Sequence, residues 1–425
     1  MLLTITHILF WTIVVIVVLF YATLSVFLWR LTRNEWKQPE GDYTPKTMIL
    51  FPLRGADPSL PRSLEKVLTQ DYPNYAIRFI LDSAEDSALP FIESAIEKCG
   101  IEKWGNGRAE IKIVNEHFLT ASLKNSALYH GIADLDDSFE AIVILDGDTN
   151  PPDTWLKRLV EPLSDRRFPA ASGLRWYIPD RENAGSLVRY LYNSAITVAQ
   201  VLCRIPWAGS LALRRDLLNE SDLLERWKHS LSTDNVVMPS VKQVNGNIAF
   251  VPSLFLVNRE TCGLYYFHNW VKRQMLGNKL YAVSWAGVLG HALLISGTLL
   301  LLIGTFLTGL FFQNGQVALW SLLSLMIYWL GVFGTLPILE HAILRKLRQY
   351  GETNDRRWSF RRTMLTFAMV PVTQAIYSSA IFGLLFLRRV EWRGIEYEIS
   401  GKQIRMLAYK PYTSRPAKQE EGRSL

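Results

Sequence analysis

The chain has 425 residues, of which 49% are hydrophobic and 20% charged, so it is long enough for one large or two medium domains with a buried core. Its formal net charge is +7, but the basic residues lie beside long apolar segments, which indicates contact with anionic lipid head groups and no nucleic-acid partner. The cysteines lie far apart without metal-ligand spacing, which argues against a disulfide framework or a zinc site and favours a reducing setting; they are Cys99, Cys203 and Cys262.

The first predicted element is a membrane helix. From Ile5 to Leu28 the sequence is almost wholly apolar, and at about 1.5 Å per residue it can cross a hydrocarbon core of roughly 30 Å. It is followed by Arg30, Arg33 and Lys37, with no small-residue cleavage site, which favours an uncleaved anchor over a signal peptide. The positive-inside rule places the N-terminus outside and Arg30 onward in the cytoplasm.

The next region, residues 45–262, has the pattern of a soluble α/β domain. Runs rich in apolar and β-branched residues indicate strands, and helical patterns separate them. The strand-like runs are 48–51, 77–81, 111–114 and 141–145, and the helical patterns include 59–70 and 88–98. This alternation predicts a mainly parallel, doubly wound sheet.

The fourth strand-like run stops abruptly at Asp146 and Asp148, which straddle Gly147. Ligands of open α/β sheets bind at the carboxyl ends of strands. Two carboxylates there are hard oxygen ligands for a divalent cation, Mg²⁺ or Mn²⁺, that can bridge a diphosphate. The same residues are also ordinary turn residues. A nucleotide-sugar site is the first hypothesis.

Other polar residues are placed where such a donor site needs them. Asp82 and Asp86 follow the second strand-like run, where a carboxylate can accept a hydrogen bond from a uracil or ribose group. Asp86 is equally suited to cap a helix N-terminus. Lys124 precedes a helical run and can neutralise phosphate charge, although a solvated lysine is the commoner case.

Two later stretches are candidates for the acceptor side. Trp207, Gly209 and Ser210 place small residues beside an indole, which can hold an acceptor or a sugar, although close helix packing would select the same residues. Asp234 precedes an apolar helical pattern and, as a lone residue, is most simply an N-cap.

The C-terminal region returns to long apolar runs. Runs at 285–312 and 317–336 are joined by a short polar turn, as in a helical hairpin, and 364–387 is a further candidate span. Four full spans with the N-terminus outside would place the C-terminus outside, yet the tail is basic. The basic residues involved are Arg345, Lys346, Arg348, Arg356, Arg357, Arg361 and Arg362, then Arg393, Lys402, Arg405, Lys410, Arg415, Lys418 and Arg423. The side of the tail stays open, because the last segment could be re-entrant.

The stretch from Tyr265 to Leu280 is both basic and aromatic, which is typical of an interfacial helix. We therefore divide the chain into five parts. They are an anchor with its linker (1–44), the α/β domain (45–262), an interfacial amphipathic segment (263–284), C-terminal membrane segments (285–388) and a basic tail (389–425).

Several blocks carry a family resemblance. They are Arg54 to Leu60, Gln70 to Tyr75, Ser172 to Pro179 and Trp392 to Gly394. In these blocks the chain resembles membrane-bound, inverting GT-A glycosyltransferases related to ceramide glucosyltransferase, including bacterial lipid-modifying members. Asp86, the pair Asp146 and Asp148, and Asp234 match the three aspartate positions of that family.

One motif departs from the family. The family usually has Gln or Arg, two variable residues and then Arg-Trp before the C-terminal spans, whereas this chain has Tyr266 to Trp270, with both polar positions changed. Trp270 is retained, and Lys272, Arg273 and Gln274 are nearby candidates for the lost phosphate contacts. The change argues against a processive polymer synthase.

The resemblance implies a mechanism. Asp148, with Asp146, would position Mg²⁺ or Mn²⁺ on the diphosphate of a UDP-sugar, and Asp86 would hold the uridine. Asp234 would take the proton from the acceptor hydroxyl, giving inversion in a single displacement. The expected product is a glycolipid, formed by a non-processive enzyme with glucose as the first donor sugar and a ceramide-like or other hydroxyl lipid as acceptor.

The expected location is a bilayer, such as a bacterial inner membrane, with a multi-pass chain whose catalytic domain is cytoplasmic. Two alternatives stay open: transfer to a polyprenyl phosphate, and a non-catalytic binding or assembly protein of GT-A shape. The sequence gives no oligomeric state.

Overall fold

The computed structural model describes residues 1–100, 108–282, 284–349 and 359–412. The chain starts with α1 (Leu2–Leu31) and enters an α/β domain. The elements of that domain are β1 (Thr47–Pro52), α2 (Leu60–Leu68), β2 (Tyr75–Leu81), α3 (Leu89–Lys98), β3 (Ala109–Ile113), α4 (Leu123–Ala133), β4 (Ala141–Leu145), α5 (Trp155–Val160), β5 (Ala170–Tyr177), α6 (Ala184–Cys203), β6 (Ser210–Arg214), α7 (Arg215–Glu220), α8 (Leu223–Lys228), α9 (Val237–Gln243) and β7 (Ile248–Asn258). The later elements are α10 (Leu264–Tyr281), α11 (Trp285–Phe311), α12 (Gly315–Arg348), α13 (Phe360–Leu385), β8 (Arg389–Trp392), β9 (Ile395–Ser400) and β10 (Gln403–Ala408).

The sheet of the α/β domain has, within the described ranges, seven strands in the order β3-β2-β1-β4-β6-β5-β7. Strand β6 runs antiparallel to β4 and β5, whereas the other neighbouring strands are parallel. The prediction of a mainly parallel α/β sheet is therefore confirmed, as are the four strands indicated by the sequence. The strand order reverses between β1 and β4, and open α/β sheets bind ligands at such a switch point.

The two faces of the sheet fill separate cores, because successive residues of a strand point to opposite sides. On β1, Met48 and Leu50 pack into one core, and Ile49 and Phe51 pack into the other with α2, α3 and α5. The first core also contains side chains from α1 and α12. Helices α1 and α12 and the sheet are thus parts of one packed body.

Four helices in the described part of the chain are long and apolar enough to cross a membrane: α1, α11, α12 and α13. One is N-terminal and three are C-terminal, as the apolar runs predicted. Helix α12 extends well past the predicted run of 317–336, and its last turns pack on the α/β domain.

The region expected to be a basic tail contains a sheet instead. Strands β8, β9 and β10 form an antiparallel sheet, and Tyr397, Ile404 and Met406 turn their side chains toward α10 and α13. The hydroxyl of Tyr397 accepts a hydrogen bond from the amide of Leu123 at the start of α4 (3.1 Å). The rest of that predicted tail, residues 413–425, lies outside the described residues, as do Arg356 and Arg357.

Helix α13 stays beside the α/β domain, where it packs on α6 and α10. Near its start, Arg361 Nε lies 4.0 Å from Glu182 Oε2. Near its end, the carbonyl of Leu384 accepts a hydrogen bond from Lys279 Nζ at 2.5 Å. The start of α13 therefore lies next to the α/β domain, and its end lies next to α10.

Candidate active site

The candidate site lies at the carboxyl ends of β1, β2 and β4, beside the switch point of the sheet. The loop after β1 carries Arg54 and Gly55, Asp82 follows β2, and Asp146 follows β4. All four residues line one cavity of about 900 Å³. Parallel pairing brings these strand ends to one edge, which is why residues distant in sequence meet there.

Asp146 and Asp148 each face a basic side chain. Lys124 Nζ, in the first turn of α4, lies 2.5 Å from Asp146 Oδ1. Arg175 Nη2, on β5, donates to both oxygens of Asp148, at 2.8 and 2.9 Å. Asp146 lines the cavity, whereas Asp148 is buried behind it. The site therefore presents one carboxylate to a ligand and holds the second beneath it.

The two carboxyl groups differ in acidity. Burial raises the pKa of Asp148 to about 7, although the charge of Arg175 opposes that shift. Burial also acts to raise the pKa of Asp146, but Lys124 and Arg175 outweigh it and hold that pKa below its ordinary value. Asp146 is therefore ionised at neutral pH, and the charge of Asp148 responds to what binds nearby.

Asp82 and Asp86 hold the loop that follows β1. Both oxygens of Asp86 lie 3.0 Å from the amide of Gly55, and Oδ1 also accepts from the amide of Ala88 at 2.8 Å. Asp82 forms an ion pair with Arg54, while its Oδ1 is buried and has no hydrogen-bond partner among the described residues. Asp86 thus shapes the loop and the start of α3, and Asp82 holds Arg54 while one of its oxygens stays without a partner among the described residues.

Asp234 lines the same cavity. Its Oδ1 accepts a hydrogen bond from the amide of Ala208 at 2.9 Å, while α9 has Val236 at its N-cap, so the carboxylate does not cap that helix. Burial raises the pKa of Asp234 to about 6, with Lys124 opposing and Asp146 adding to the shift. A carboxyl with that pKa is suited to proton transfer near neutral pH.

The stretch from Trp207 to Ser210 forms one wall of the site. The guanidinium of Arg175 lies over the Trp207 ring, 4.6 Å from its centroid. A Cβ at Gly209 would lie 2.1 Å from that ring, so the ring can occupy this position only beside a glycine. Ser210 Oγ accepts a hydrogen bond from Trp155 Nε1 at 2.8 Å and is buried in the sheet. Trp207 therefore lines the cavity, and Ser210 lies behind it in the sheet.

The site residues predicted near the altered motif lie on helix α10, and they do not all face the cavity. Trp270, Arg273 and Gln274 line the cavity. Lys272 instead points to α13, where a Cβ at Gly383 would lie 2.9 Å from its Cε. Burial lowers the pKa of Arg273 to about 10, which leaves it charged at neutral pH. Arg273 is the cation that this helix turns into the site.

Three arginines that line the cavity were not among the predicted site residues: Arg54, Arg175 and Arg393. All three lie in blocks that carried the family resemblance, but no role followed from that. Arg175 is the only charged residue of β5. An arginine is rarely buried without a partner, so its place in an otherwise buried strand is the signal that identifies it.

The residues along most of the chain match one protein family. The model of the family described as Glycosyl transferase family 21 matches residues 9–404. The chain belongs to glycosyl transferase family 21. It is therefore a glycosyltransferase, and the sheet order together with this membership confirms the expected GT-A class.

Solved structures of other glycosyltransferases are similar to this family 21 glycosyltransferase. A mannosyltransferase from Pyrobaculum calidifontis, solved with GDP-mannose and Mn²⁺, is 15% identical over 91% of this chain and 99% of that chain, with a TM-score of 0.48. Glucosyl-3-phosphoglycerate synthase from Mycobacterium tuberculosis, solved with Mn²⁺, UDP and glucosyl-3-phosphoglycerate, is 12% identical over 57% of this chain and 87% of that chain, with a TM-score of 0.37.

The cavity of this family 21 glycosyltransferase continues from the aspartates to the membrane helices. Asp146 and Asp234 lie at one end. The other walls are apolar side chains from α1, α6, α11, α12 and α13, among them Leu24, Val198, Ile295, Val332, Leu336 and Val370. A single space thus joins the acidic residues to helices that are long enough to cross a membrane.

The donor set at Asp146 and Asp148 fits a divalent cation that takes its other ligands from a substrate. In the described part of the chain, no cluster of three or more His, Cys, Asp or Glu residues could enclose a metal ion. Two carboxylates completed by phosphate oxygens are a usual way to bind Mg²⁺ at a nucleotide. Binding to Asp148 would compete with Arg175 for its oxygens.

Proposed function

We propose that this glycosyltransferase moves a sugar, with glucose the first candidate, from a UDP-sugar to the hydroxyl of a membrane lipid. Transfer is non-processive, inverts the anomeric centre and takes place at the cytoplasmic face. The observation that carries the proposal is the cavity that joins Asp146 and Asp234 to apolar walls from the candidate membrane helices.

The donor half of the proposal rests on the strand ends. Asp146 and Asp148 would hold Mg²⁺ or Mn²⁺, which when bound would offset the negative charge of the leaving diphosphate. Lys124, beside Asp146, adds a positive charge for the phosphates. The unpartnered Oδ1 of Asp82 accepts a hydrogen bond from the uracil or ribose.

The transfer step rests on Asp234. Its carboxylate is oriented by the amide of Ala208 and takes the proton of the acceptor hydroxyl. The acceptor oxygen forms a bond to the anomeric carbon as the bond to the diphosphate oxygen breaks. Because attack and departure occur on opposite faces of the sugar, one displacement inverts the configuration and leaves no covalent sugar on the enzyme.

The acceptor half rests on the apolar walls of the cavity. Taking a lipid tail out of the bilayer costs about 0.8 kcal/mol for each CH₂ exposed to water. A cavity that opens among α1, α11, α12 and α13 lets the tails stay in an apolar setting while the hydroxyl reaches Asp234. These walls support a lipid as the acceptor, with a ceramide-like lipid as the first candidate.

The test is a product assay. Purified protein is mixed with Mn²⁺, a panel of UDP-sugars and GDP-mannose, and a total lipid extract, and the lipid products are identified by mass spectrometry. We expect one hexose to be added to a neutral hydroxyl lipid, with loss of the product when a chelator is present.

The other outcomes separate the alternatives. A glycosylated polyprenyl phosphate as the only product would replace the hydroxyl-lipid acceptor by an anionic one. If no nucleotide diphosphate is released with any donor in the presence of lipid, the protein is a binding or assembly protein and not the proposed enzyme.

A further inference from the structure

The turn between β8 and β9 reaches into the active site from the last sheet of the chain. Trp392 pairs with Ile395 across the hairpin, so Arg393 and Gly394 form a two-residue loop. Their φ angles are +50° and +79°. Such a loop needs positive φ at both positions, where Asn, Asp and Gly are the usual residues. An arginine therefore occupies the first position against its local backbone preference.

The side chain of Arg393 is fixed to the loop after β1. Its Nη2 lies 2.8 Å from Asp57 Oδ2, and its Nη1 donates to the carbonyl of Arg54 at 2.7 Å. In return, Arg54 Nε donates to the carbonyl of Arg393 at 2.9 Å. These contacts link the C-terminal sheet to the strand end that lies at the switch point, and both arginines line the cavity with Asp146.

Arg393 adds a guanidinium to the basic side chains that surround the cavity. Lys124 pairs with Asp146, Arg175 with Asp148 and more distantly with Asp146, and Arg393 with Asp57. A nucleotide sugar adds a diphosphate, and further negative charge develops on it as the sugar leaves. Donors already fixed in place stabilise such charge without reorganisation. The side chain of Arg393 is 18% exposed, so its charge is only partly screened by water.

The neighbouring aromatic residue is also part of the cavity. Trp392 lines it, and the guanidinium of Arg273 lies over the Trp392 ring, 5.5 Å from the centroid. The hairpin thus brings one cation of its own to the donor side and supports a second one from α10.

We propose that Arg393 binds the diphosphate of the nucleotide-sugar donor, so that the C-terminal sheet supplies part of the donor site. This inference rests on the proposed function. In the transfer step the electron pair of the broken anomeric C–O bond stays on the diphosphate oxygen, the acceptor oxygen bonds to the anomeric carbon, and Asp234 takes the proton. Arg393 donates hydrogen bonds to the diphosphate and undergoes no covalent change.

The test compares the binding of a nucleoside diphosphate with that of its nucleoside. Full-length wild type, Arg393→Ala and Arg393→Lys are titrated calorimetrically with UDP and Mn²⁺, and separately with uridine. We expect Arg393→Ala to bind UDP about tenfold to a hundredfold more weakly, as for loss of a charge-assisted hydrogen bond, and to bind uridine as the wild type does. Arg393→Lys restores part of the UDP affinity.

The matched control is Arg389→Ala. Arg389 lies on the same hairpin, with a side chain that is 61% exposed and 3.6 Å from Glu396, so its removal takes away one charge at the surface. We expect this variant to bind UDP as the wild type does.

Other results overturn the inference. Unchanged UDP affinity in Arg393→Ala, or an equal loss of UDP and uridine binding with a lower melting temperature, would mean that Arg393 only fastens the sheet to Asp57. If the wild type binds GDP and not UDP, the comparison is made with GDP and guanosine. If the wild type binds neither diphosphate, the proposed function fails together with this inference.

Discussion

Asp234 is the residue on which the proposed chemistry depends most. In Asp234→Asn the amide oxygen can still accept from the Ala208 amide, but the side chain cannot take a proton. We expect kcat to fall by about 10²–10⁴, the usual contribution of a general base, while UDP affinity is unchanged. Initial rates with saturating donor and lipid measure the first quantity, and titration with UDP measures the second.

A surface aspartate gives the control for that substitution. Asp216 lies on α7, paired with Arg214, and its side chain is partly exposed. Asp216→Asn should keep the wild-type kcat. Full activity in Asp234→Asn would remove the assignment of Asp234 as the base.

The pH dependence of the reaction follows from the same residue. Because burial raises the pKa of Asp234 to about 6, its carboxyl is mostly ionised at pH 7 and becomes protonated as the pH falls. A base must be ionised to act, so kcat/KM should decline below about pH 6. The residual activity of Asp234→Asn should lack the part of this decline that Asp234 causes. An identical acid limb in both proteins would assign it to another group.

The sequence could predict the site aspartates but not all of their surroundings. Asp146 and Asp148 follow an unmistakable buried strand, and their position at its carboxyl end is a consequence of the fold. Which of Lys272 and Arg273 faces the site depends on the rotation of α10 against its neighbours, and the sequence alone does not set that rotation.

At the scale of whole elements, the junction between α6 and α10 is unusually close. A Cβ at Gly185, in the first turn of α6, would lie 2.2 Å from the carbonyl oxygen of Cys262 and 2.5 Å from the carbonyl carbon of Gly263. Both are backbone atoms, so relief requires one segment to move. We expect Gly185→Ala to destabilise the protein by about 1–3 kcal/mol, seen as a lower melting temperature in detergent.

The adjacent glycine provides the control for this close contact. A Cβ at Gly263 would meet nothing within 4 Å, and its φ is −87°. Gly263→Ala should therefore melt at or near the wild-type temperature. Equal melting temperatures for the two variants would show that the junction relaxes freely.

The sequence predicts an element correctly where its local residue pattern favours the same structure as its packing in the fold. Strands β1 to β4 are short apolar runs between turn or helix signals, so they could be read directly. Strand β5 contains Gly173 and β7 contains Pro252, residues that lower β-propensity; they are tolerated because β7 is an edge strand and its pairing with β5 shifts register there. The last sheet was missed because its alternating apolar residues are separated by charged ones within a basic region.

At the scale of the whole molecule, the position of α13 leads to an expectation for the side of the C-terminus. A helix that crosses a bilayer has its ends on opposite sides, yet α13 starts beside the α/β domain, and the sheet that follows it contacts the same domain through Arg393 and Tyr397. We therefore expect α1, α11 and α12 to cross the membrane and α13 to remain on the side of the α/β domain. The basic residues of the tail would then obey the positive-inside rule.

Epitope tags test this topology. A tag after Leu425 should be cut by protease in inverted vesicles and protected in right-side-out vesicles. A second tag, inserted between Gln313 and Asn314 in the turn from α11 to α12, should behave in the opposite way. Equal accessibility of the two tags from one side would show that α13 crosses completely.

The hairpin with Arg393 also determines when the donor site is completed during synthesis of the chain. The ribosome completes the α/β domain with its aspartates long before it reaches Trp392, and three long apolar helices lie between them. On the proposed role of Arg393, a nascent chain that is still being inserted lacks part of its donor site. Such a chain would bind the donor more weakly than the finished enzyme, so it would consume less nucleotide sugar before the last helix has packed.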